Sequence, residues 1–343
     1  MLSGLGVVAQ VGRTVWHIPR PRSMYTLAPY GTWKSPISGD MLTRGSASLG
    51  ELATVRSGEA YDVLYTLARP EDRGRVSLHC TNTKGESKQR ECLSAQHGSV
   101  RSSVHEYGGG AFATLPHQRT AIFAHQVQKQ HAVSRLDLDT MSVTQLRPPS
   151  QKRYADFGVS TRDVLLAVEE DHSDGAVRNN LVSLSVANGS VHTVHSKHDF
   201  YAYPRLSPDG ALVAWVTWDQ PAMPFWASEL WVARVECAER LQISSPIRVA
   251  GGAGVVAQQP VWSSNDTLLY THSAADMSDV MEVQIRFQDG TMHVSMPVAA
   301  GGTRQATPCD VQPPLWNLNV YVESSAYRQL LPRSVRRATR CLH

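Results

Sequence analysis

The stretches YPRLSPDG (203–210) and QPVWSSND (259–266) carry the same pattern at two places in one chain. In each, a proline is followed by a bulky apolar residue, a serine and a polar turn, and an apolar run comes next. Proline fixes φ near the start of a strand, and Ser-Pro-Asp-Gly is typical of a hairpin turn. The repetition therefore indicates one β-structural unit that the chain uses more than once.

Between its ends, the chain consists of short runs rich in Val, Leu, Trp and Tyr that polar turns interrupt. Examples are ALVAWVTW (211–218) and ELWVARV (229–235). Runs of this kind predict strands joined in hairpins. Helical periodicity is nearly absent, so the sequence predicts an all-β fold with brief helices.

The strand runs recur with a regular period. Six segments open at comparable places, spaced 56, 47, 49, 56 and 53 residues apart: Glu51, Tyr107, Tyr154, Tyr203, Gln259 and Gln312. A repeat of about fifty residues with about four strands is the size of one propeller blade. We therefore predict an incomplete β-propeller with about five to six four-stranded blades, of a type that has seven or eight. A β-sandwich is the alternative, and the regular spacing favours the propeller.

Composition excludes several classes of partner. The chain has 343 residues, 42% of them hydrophobic, and a formal net charge of +3. That charge is too small to imply nucleic acid, and no window reaches the roughly 18 apolar residues of a membrane helix. The five cysteines are scattered without a C-x-x-C pair, which favours a reducing compartment over a disulfide framework or a zinc site. We expect no metal, no cofactor, no nucleic acid and no membrane partner.

Both ends of the chain differ in charge from the middle. The first acidic residue is Asp40, and a basic, acid-free start is the charge bias of a mitochondrial transit peptide. Residues 1–27 are therefore predicted to be a leader, either targeting or disordered, with a start at Met24 as another alternative. Residues 28–322 are assigned to the propeller, and 323–343 to a disordered basic tail. The expected location is cytoplasmic, with the mitochondrion as the alternative.

Four stretches go beyond a generic propeller: APYGTWKSPIS (28–38), VRSSVHEYGGGAF (100–112), AYPRLSPDGALVAWVTWDQPAMPFWASELWVA (202–233) and QQPVWSSND (258–266). In order and spacing, they resemble the N-terminal propeller of prolyl oligopeptidase family serine peptidases. The nearest branch is the acylaminoacyl-peptidase and dipeptidyl-aminopeptidase-like one. One departure is Phe225-Trp226-Ala227, where relatives usually carry Trp-Asp-Gly.

The resemblance implies a propeller that restricts access to an α/β-hydrolase domain with a Ser-Asp-His triad, so that only short or unfolded peptides reach the nucleophile. The sequence itself contains no G-x-S-x-G nucleophile elbow, and GVSTR (158–162) comes nearest. We therefore expect no catalytic residue here and a fragment that is inactive alone. Unpaired strand edges and uncovered blade faces would then favour self-association. The alternative function is a free-standing propeller that serves as a platform for peptides or proteins.

Two groups of residues are candidates for substrate binding. Glu169 and Glu170 form a carboxylate pair, which suits an ammonium group. The resemblance implies this use because some dipeptidyl peptidases bind the substrate's free amino terminus with a propeller glutamate pair. The alternative is a solvated strand end.

The second group is His105, Glu106 and Tyr107, which precede three glycines in HEYGGG (105–110). Glycine permits positive φ and close backbone approach, so this segment is interpreted as a loop that meets substrate or a partner domain. The alternative is a packed segment near the central channel in which His and Glu are only hydrogen-bonded.

Overall fold

A computed structural model describes residues 29, 31–32, 36–43, 47–83, 90–93, 95–115, 118–159, 164–237, 240–274, 277–288 and 291–299. The predicted leader, the unit that opens at Gln312 and the basic tail lie outside these residues. The chain divides into two compact units, 1–45 and 46–343. In the described part of the first unit, Gly39–Thr43 forms the short helix α1. All the strands among the described residues belong to the second unit.

The described residues of the second unit form five consecutive antiparallel sheets. The first contains β1 (Ser48–Ser57), β2 (Ala60–Ala68), β3 (Val76–Asn82) and β4 (Arg90–Glu91). The second contains β5 (Phe112–Leu115), β6 (Thr120–Val127), β7 (Gln130–Asp137) and β8 (Val143–Ser150). The third contains β9 (Lys152–Val159), β10 (Val164–Asp171), β11 (Arg178–Ser185) and β12 (Val191–His195).

The last two sheets follow the same plan. The fourth contains β13 (Phe200–Leu206), β14 (Leu212–Trp218), β15 (Glu229–Cys237) and β16 (Gln242–Gly251). The fifth contains β17 (Val255–Trp262), β18 (Thr267–Ala274), β19 (Met277–Gln288) and β20 (Thr291–Val294), with β21 (Val298–Ala299) also paired to β19. Short 3₁₀ turns lie at Pro70–Asp72, Ala95–His97 and Val104–Glu106.

Each sheet contains a four-stranded meander, and successive sheets contact one another through their first strands. β1 contacts β5, β5 contacts β9, β9 contacts β13 and β13 contacts β17. Consecutive four-stranded meanders in this arrangement are the blades of a β-propeller. The predicted fold class is thus confirmed, and five blades lie within the described residues.

Four apolar cores lie between the five sheets, one between each consecutive pair. The central strands contribute to two cores at once because alternate side chains point to opposite faces. In β14, Val213 and Trp215 pack toward the third sheet, whereas Ala214 and Val216 pack toward the fifth. This double burial explains why the run ALVAWVTW is almost wholly apolar rather than alternating.

The first strands share an irregularity at one level. The pairing register shifts within β1, β9, β13 and β17. At the shift, Asp156, Tyr203 and Gln259 have positive φ values of 55°, 52° and 53°, and Glu51 lies in the corresponding interval of β1. Such bulges bend a strand and redirect the side chains beside them.

These bulges explain the repeated sequence phrase. In YPRLSPDG, Pro204 follows the bulge in the middle of β13. The sequence pattern had predicted this proline near the start of a strand, which is wrong in this respect. A bulge tolerates a residue that has no N–H to donate. Leu206 and Trp262 pack against the cores on the two sides of the fourth sheet. The turn closes through the backbone N–H of Gly210, which donates to the Ser207 carbonyl at 2.8 Å.

Two further sequence expectations concern cysteines and membranes. Cys80 and Cys92 carry free thiols, while Cys309 and Cys341 lie outside the described residues. Among the described helices, none has the length and apolar character needed to cross a bilayer.

Candidate functional site

A cavity of about 770 Å³ opens where the bulged first strands of the sheets meet two loops. Its wall includes residues from the first strands of all five sheets, the glycine-rich segment 107–110 and the loop 223–225. This volume falls within the range of about 300–1,000 Å³ that is usual for small-molecule sites. The charged side chains in the wall are Glu51, Asp156 and Arg205.

Asp156 is held by backbone donors from two neighbouring sheets. Its Oδ1 accepts a hydrogen bond of 2.6 Å from the N–H of Gly110, and its Oδ2 accepts one of 3.1 Å from the N–H of Tyr203. A side-chain Cβ at Gly110 would lie 3.0 Å from the same Oδ1, so the glycine lets the loop approach closely. The carboxylate thus joins the second, third and fourth sheets at the cavity wall.

Glu51 plays a similar part between the first and second sheets. Its carboxylate accepts hydrogen bonds from the N–H groups of Ala111, at 2.7 and 2.8 Å, and Phe112, at 3.2 Å. Burial raises the pKa of Glu51 from 4.5 to about 7, although these two backbone donors act in the opposite direction. Burial prevails because removing a carboxylate from water disfavours its charged form strongly. Near neutral pH, this group therefore binds a proton more readily than an exposed glutamate does.

Arg205 carries the positive charge of the wall. Its Nη1 donates to the Pro204 carbonyl at 2.9 Å, and its own carbonyl accepts from the indole N–H of Trp262 at 3.0 Å. Within the described part of the chain, Arg205 forms no ion pair.

An aromatic cluster borders the cavity, and its members His105, Tyr107 and Trp218 line the wall. Phe200 and Trp218 stack with ring centroids 5.3 Å apart, and His105 meets both rings edge-on at 5.2 Å. Burial lowers the pKa of His105, so the imidazole is neutral and acts as an aromatic surface at neutral pH. Tyr107 is 54% exposed and lies 5.7 Å from the His105 ring.

The structure separates the residues of the second candidate group. His105 and Tyr107 line the cavity, whereas Glu106 does not. The side chain of Glu106 is 76% exposed and forms an ion pair of 2.7 Å with Arg153. His105 and Glu106 both have positive φ, at 55° and 68°, which turns the chain sharply ahead of the glycines.

Glu169 and Glu170 lie in β10 and do not line the cavity. Both are buried, with 4% and 2% exposure, so neither is a solvated strand end. Glu169 accepts from the Tyr154 hydroxyl at 2.7 Å and from Lys152 Nζ at 3.1 Å. Their carboxylates are bound to groups of the chain itself, and any role in binding an ammonium group remains a prediction.

Glu170 is the more connected of the pair. It accepts from Arg153 Nη1 at 2.9 Å, from the backbone N–H of His105 at 2.6 Å, and contacts His172 Nε2 at 2.6 Å. Glu106, Glu170 and His172 place one ligand atom each within 4.8 Å of one another, a spacing that could suit a metal ion. Arg153 Nη1 already binds both glutamates of this group, so a guanidinium supplies the positive charge there.

Sequence reasoning did not single out Glu51, Asp156, Arg205 or Trp218 as site residues. The sequence did contain a signal for Glu51, because the repeat placed Glu51, Tyr203 and Gln259 at equivalent positions of their units. The structure shows that these positions are the bulges around the cavity. Residues at equivalent positions of a propeller repeat lie at the same level around the central axis. Comparing the equivalent positions of the units would therefore have indicated Glu51 as a site residue.

No protein-family profile matches the chain, and no curated protein sequence does so either. Solved structures do match it. A Mycobacterium tuberculosis puromycin-hydrolyzing peptidase is similar with 26% identity and a TM-score of 0.64, over 80% of this chain and 42% of that one. A puromycin hydrolase is similar with 25% identity and a TM-score of 0.62, over 76% of this chain and 41% of that one.

Prolyl oligopeptidase B from Galerina marginata, at 11% identity and a TM-score of 0.51, shares the fold alone over 74% of this chain and 38% of its own. The chain thus spans less than half the length of each of these three proteins. It is a β-propeller of the kind that forms part of such peptidases.

Proposed function

We propose that this propeller admits short peptides to a hydrolase domain carrying a Ser-Asp-His triad, and that its cavity holds part of the peptide during cleavage. In this proposal, the chain itself supplies no nucleophile and is inactive alone. The acylaminoacyl-peptidase and dipeptidyl-aminopeptidase-like branch is the finer assignment that we favour, on the basis of the sequence motifs.

One observation carries the proposal. Loops and bulged strands surround a cavity of about 770 Å³ with aromatic and amide side chains, in a chain that shares its fold with part of two puromycin-hydrolysing enzymes. A cavity of this size accommodates a few peptide residues and is too small for a folded protein. Aromatic walls with a few polar groups are typical of sites that bind small organic ligands.

Intrinsic tryptophan fluorescence tests this proposal because Trp218 lies in the cavity wall. We expect puromycin and peptides of three to five residues to change the emission saturably, and a folded protein of similar composition to leave it unchanged. Mass spectrometry of the same mixtures should show the peptides intact. Cleavage by the purified chain would refute the inactive assignment, and an absence of saturable binding would refute the substrate role.

A pair of variants locates the binding. Tyr107→Ala removes an exposed aromatic ring from the cavity and should weaken peptide binding several-fold. Phe287→Ala removes a ring of similar exposure, 43% against 54%, from β19 outside the cavity and should leave binding unchanged. Equal effects of the two substitutions would show that the peptides bind elsewhere.

The alternative function, a platform for other proteins, makes a different prediction for the same titration. A platform would bind a folded partner and leave the cavity accessible to puromycin. Self-association of the chain also remains a prediction, and sedimentation velocity over a range of concentrations measures it directly.

A further inference from the structure

The charged side chains of the cavity differ in how many hydrogen bonds they form with other groups of the chain. Asp156 receives a backbone N–H at each oxygen, and Glu51 receives two N–H groups from the second sheet. Both carboxylates therefore hold neighbouring sheets together and have part of their charge compensated. Arg205 differs, because one backbone carbonyl accepts from its guanidinium and no described carboxylate lies within 4.0 Å of it.

We propose that Arg205 is a binding residue for a carboxylate group of the ligand in this cavity. The proposal rests on the proposed peptide-handling function and names the chemical group that the cavity selects. A guanidinium carries five N–H donors in a planar fork, and a carboxylate accepts two of them in parallel. A lysine at this place could not form the same two-point contact.

The position of Arg205 in the fold supports this role. It lies in β13 directly after the bulge at Tyr203, and its backbone carbonyl is fixed by the indole N–H of Trp262 from the fifth sheet. The guanidinium thus extends from a strand that is anchored on both sides. A rigid strand positions a charged group more accurately than a loop does.

The surroundings indicate what accompanies the carboxylate. Tyr203, Trp218 and Phe225 line the same cavity, as do the side-chain amides of Gln258 and Gln259. The amide of Gln258 donates to the Pro224 carbonyl at 2.7 Å, which ties the loop 223–225 to the fifth sheet. A peptide whose carboxylate is next to an aromatic or aliphatic side chain fits this combination of one cation with apolar walls.

Electrostatic repulsion by the two acids of the wall does not prevent this contact. Burial raises the pKa of Glu51, which favours its neutral form, and the approach of a ligand carboxylate favours that form further. The two N–H donors on Asp156 offset part of its charge at short range. Arg205 therefore remains an attractive centre for an anion within the cavity.

Matched peptides measure the contribution of the carboxylate without altering the protein. N-acetyl-alanyl-phenylalanine as the free acid should bind at least ten-fold more tightly than its carboxamide, by isothermal titration calorimetry at pH 6.5. N-acetyl-aspartyl-phenylalanine carboxamide carries its carboxylate on a side chain. Its affinity shows whether Arg205 binds the carboxylate of an acidic side chain or that of a chain terminus. Equal affinities of acid and both amides would overturn the inference while leaving the proposed function intact. An absence of binding by every peptide would overturn both.

Variants assign the effect to the residue. Arg205→Gln should bind acid and amide alike, and Arg205→Lys should retain only part of the preference. Arg178→Gln alters an arginine whose side chain is 62% exposed in a hairpin of the third sheet, and should retain the full preference. A full preference in a folded Arg205→Gln chain, judged by circular dichroism and melting temperature, would overturn the inference. If Arg205→Gln fails to fold, the Lys variant and the acid–amide comparison on the unaltered chain still decide it.

Discussion

The carboxylate of Glu170 accepts a hydrogen bond of 2.6 Å from the backbone N–H of His105. This bond joins the middle of the third sheet to the segment that enters the second sheet, over a sequence separation of 65 residues. Because His105 forms part of the aromatic wall, a buried acid that does not touch the cavity helps to determine the wall's shape. The two groups of sequence candidates are thus parts of one arrangement.

Removing the charge of Glu170 tests this arrangement. Glu170→Gln should lower the free energy of unfolding by about 1–3 kcal/mol, because a buried ion pair and charge-assisted hydrogen bonds are lost. Urea denaturation measures the change. Glu106→Gln is the matched control, since Glu106 contacts the same Arg153 but its side chain is 76% exposed. An exposed ion pair contributes about 0–1 kcal/mol, and equal losses for the two variants would contradict the buried role of Glu170.

The cores between sheets make a second prediction. Leu166 is fully buried between the third and fourth sheets, so Leu166→Ala should lower the free energy of unfolding by about 2–5 kcal/mol. Leu49→Ala truncates a leucine that is also in a strand but is 70% exposed, and it should cost about 0.5 kcal/mol or less. A small loss at position 166 would argue against close packing of these two sheets.

Alanine substitutions at two glycines of the third sheet distinguish the energetic cost of backbone strain from that of a steric clash. Gly189 and Gly175 both lie in hairpins and have φ values of 72° and 78°. A Cβ at Gly189 would collide with the backbone carbonyl of Leu146 in the second sheet, whereas one at Gly175 meets nothing within 4 Å. Both alanine variants should lose roughly 1 kcal/mol through positive φ. Gly189→Ala should lose clearly more, and thermal unfolding compares the two directly.

The raised pKa of Glu51 predicts a pH dependence of stability. Since the folded pKa is about 7 and the ordinary value is 4.5, the folded state binds more protons than the unfolded state between these two values. The contribution of Glu51 to the free energy of unfolding is therefore fully present below about pH 4.5. It is lost as the pH rises toward 7, by an amount on the order of 2 kcal/mol.

Glu51→Gln retains an oxygen acceptor and removes the titration. The difference in unfolding free energy between the unaltered chain and Glu51→Gln should change steadily between pH 4.5 and 7. A difference independent of pH would show that Glu51 ionises normally in the folded protein.

Much of the fold could be predicted from the sequence because each blade has the same pattern of strands, turns and buried faces. A strand buried on both faces must be apolar throughout, and ALVAWVTW shows this directly. The repeat also located the cavity level in three units, at Glu51, Tyr203 and Gln259. In the second unit, Tyr107 lines the cavity from the glycine-rich segment rather than from a strand. In the third unit, the predicted opening at Tyr154 lies two residues before the bulge at Asp156 and outside the cavity wall.

The candidate site was harder to predict because it depends on strand register. Glu169 and Glu170 look like a free carboxylate pair in sequence, and a pairing between β9 and β10 places Tyr154 and Arg153 directly opposite them. Register in such sheets follows from bulges and three-dimensional packing rather than from local composition. The same is true of Asp156, whose two backbone donors come from positions 46 and 47 residues away.

The double burial of the central strands has a consequence for amide hydrogen exchange. An N–H in β6, β10 or β14 is paired along both edges of its strand and covered by a core on each face. Deuterium reaches it only when its hydrogen bond opens and the packing between blades is disturbed, whereas the outermost strands β8, β12 and β16 are paired along one edge. The most slowly exchanging amides should therefore form one continuous band through the second, third and fourth blades, with faster exchange toward the rim.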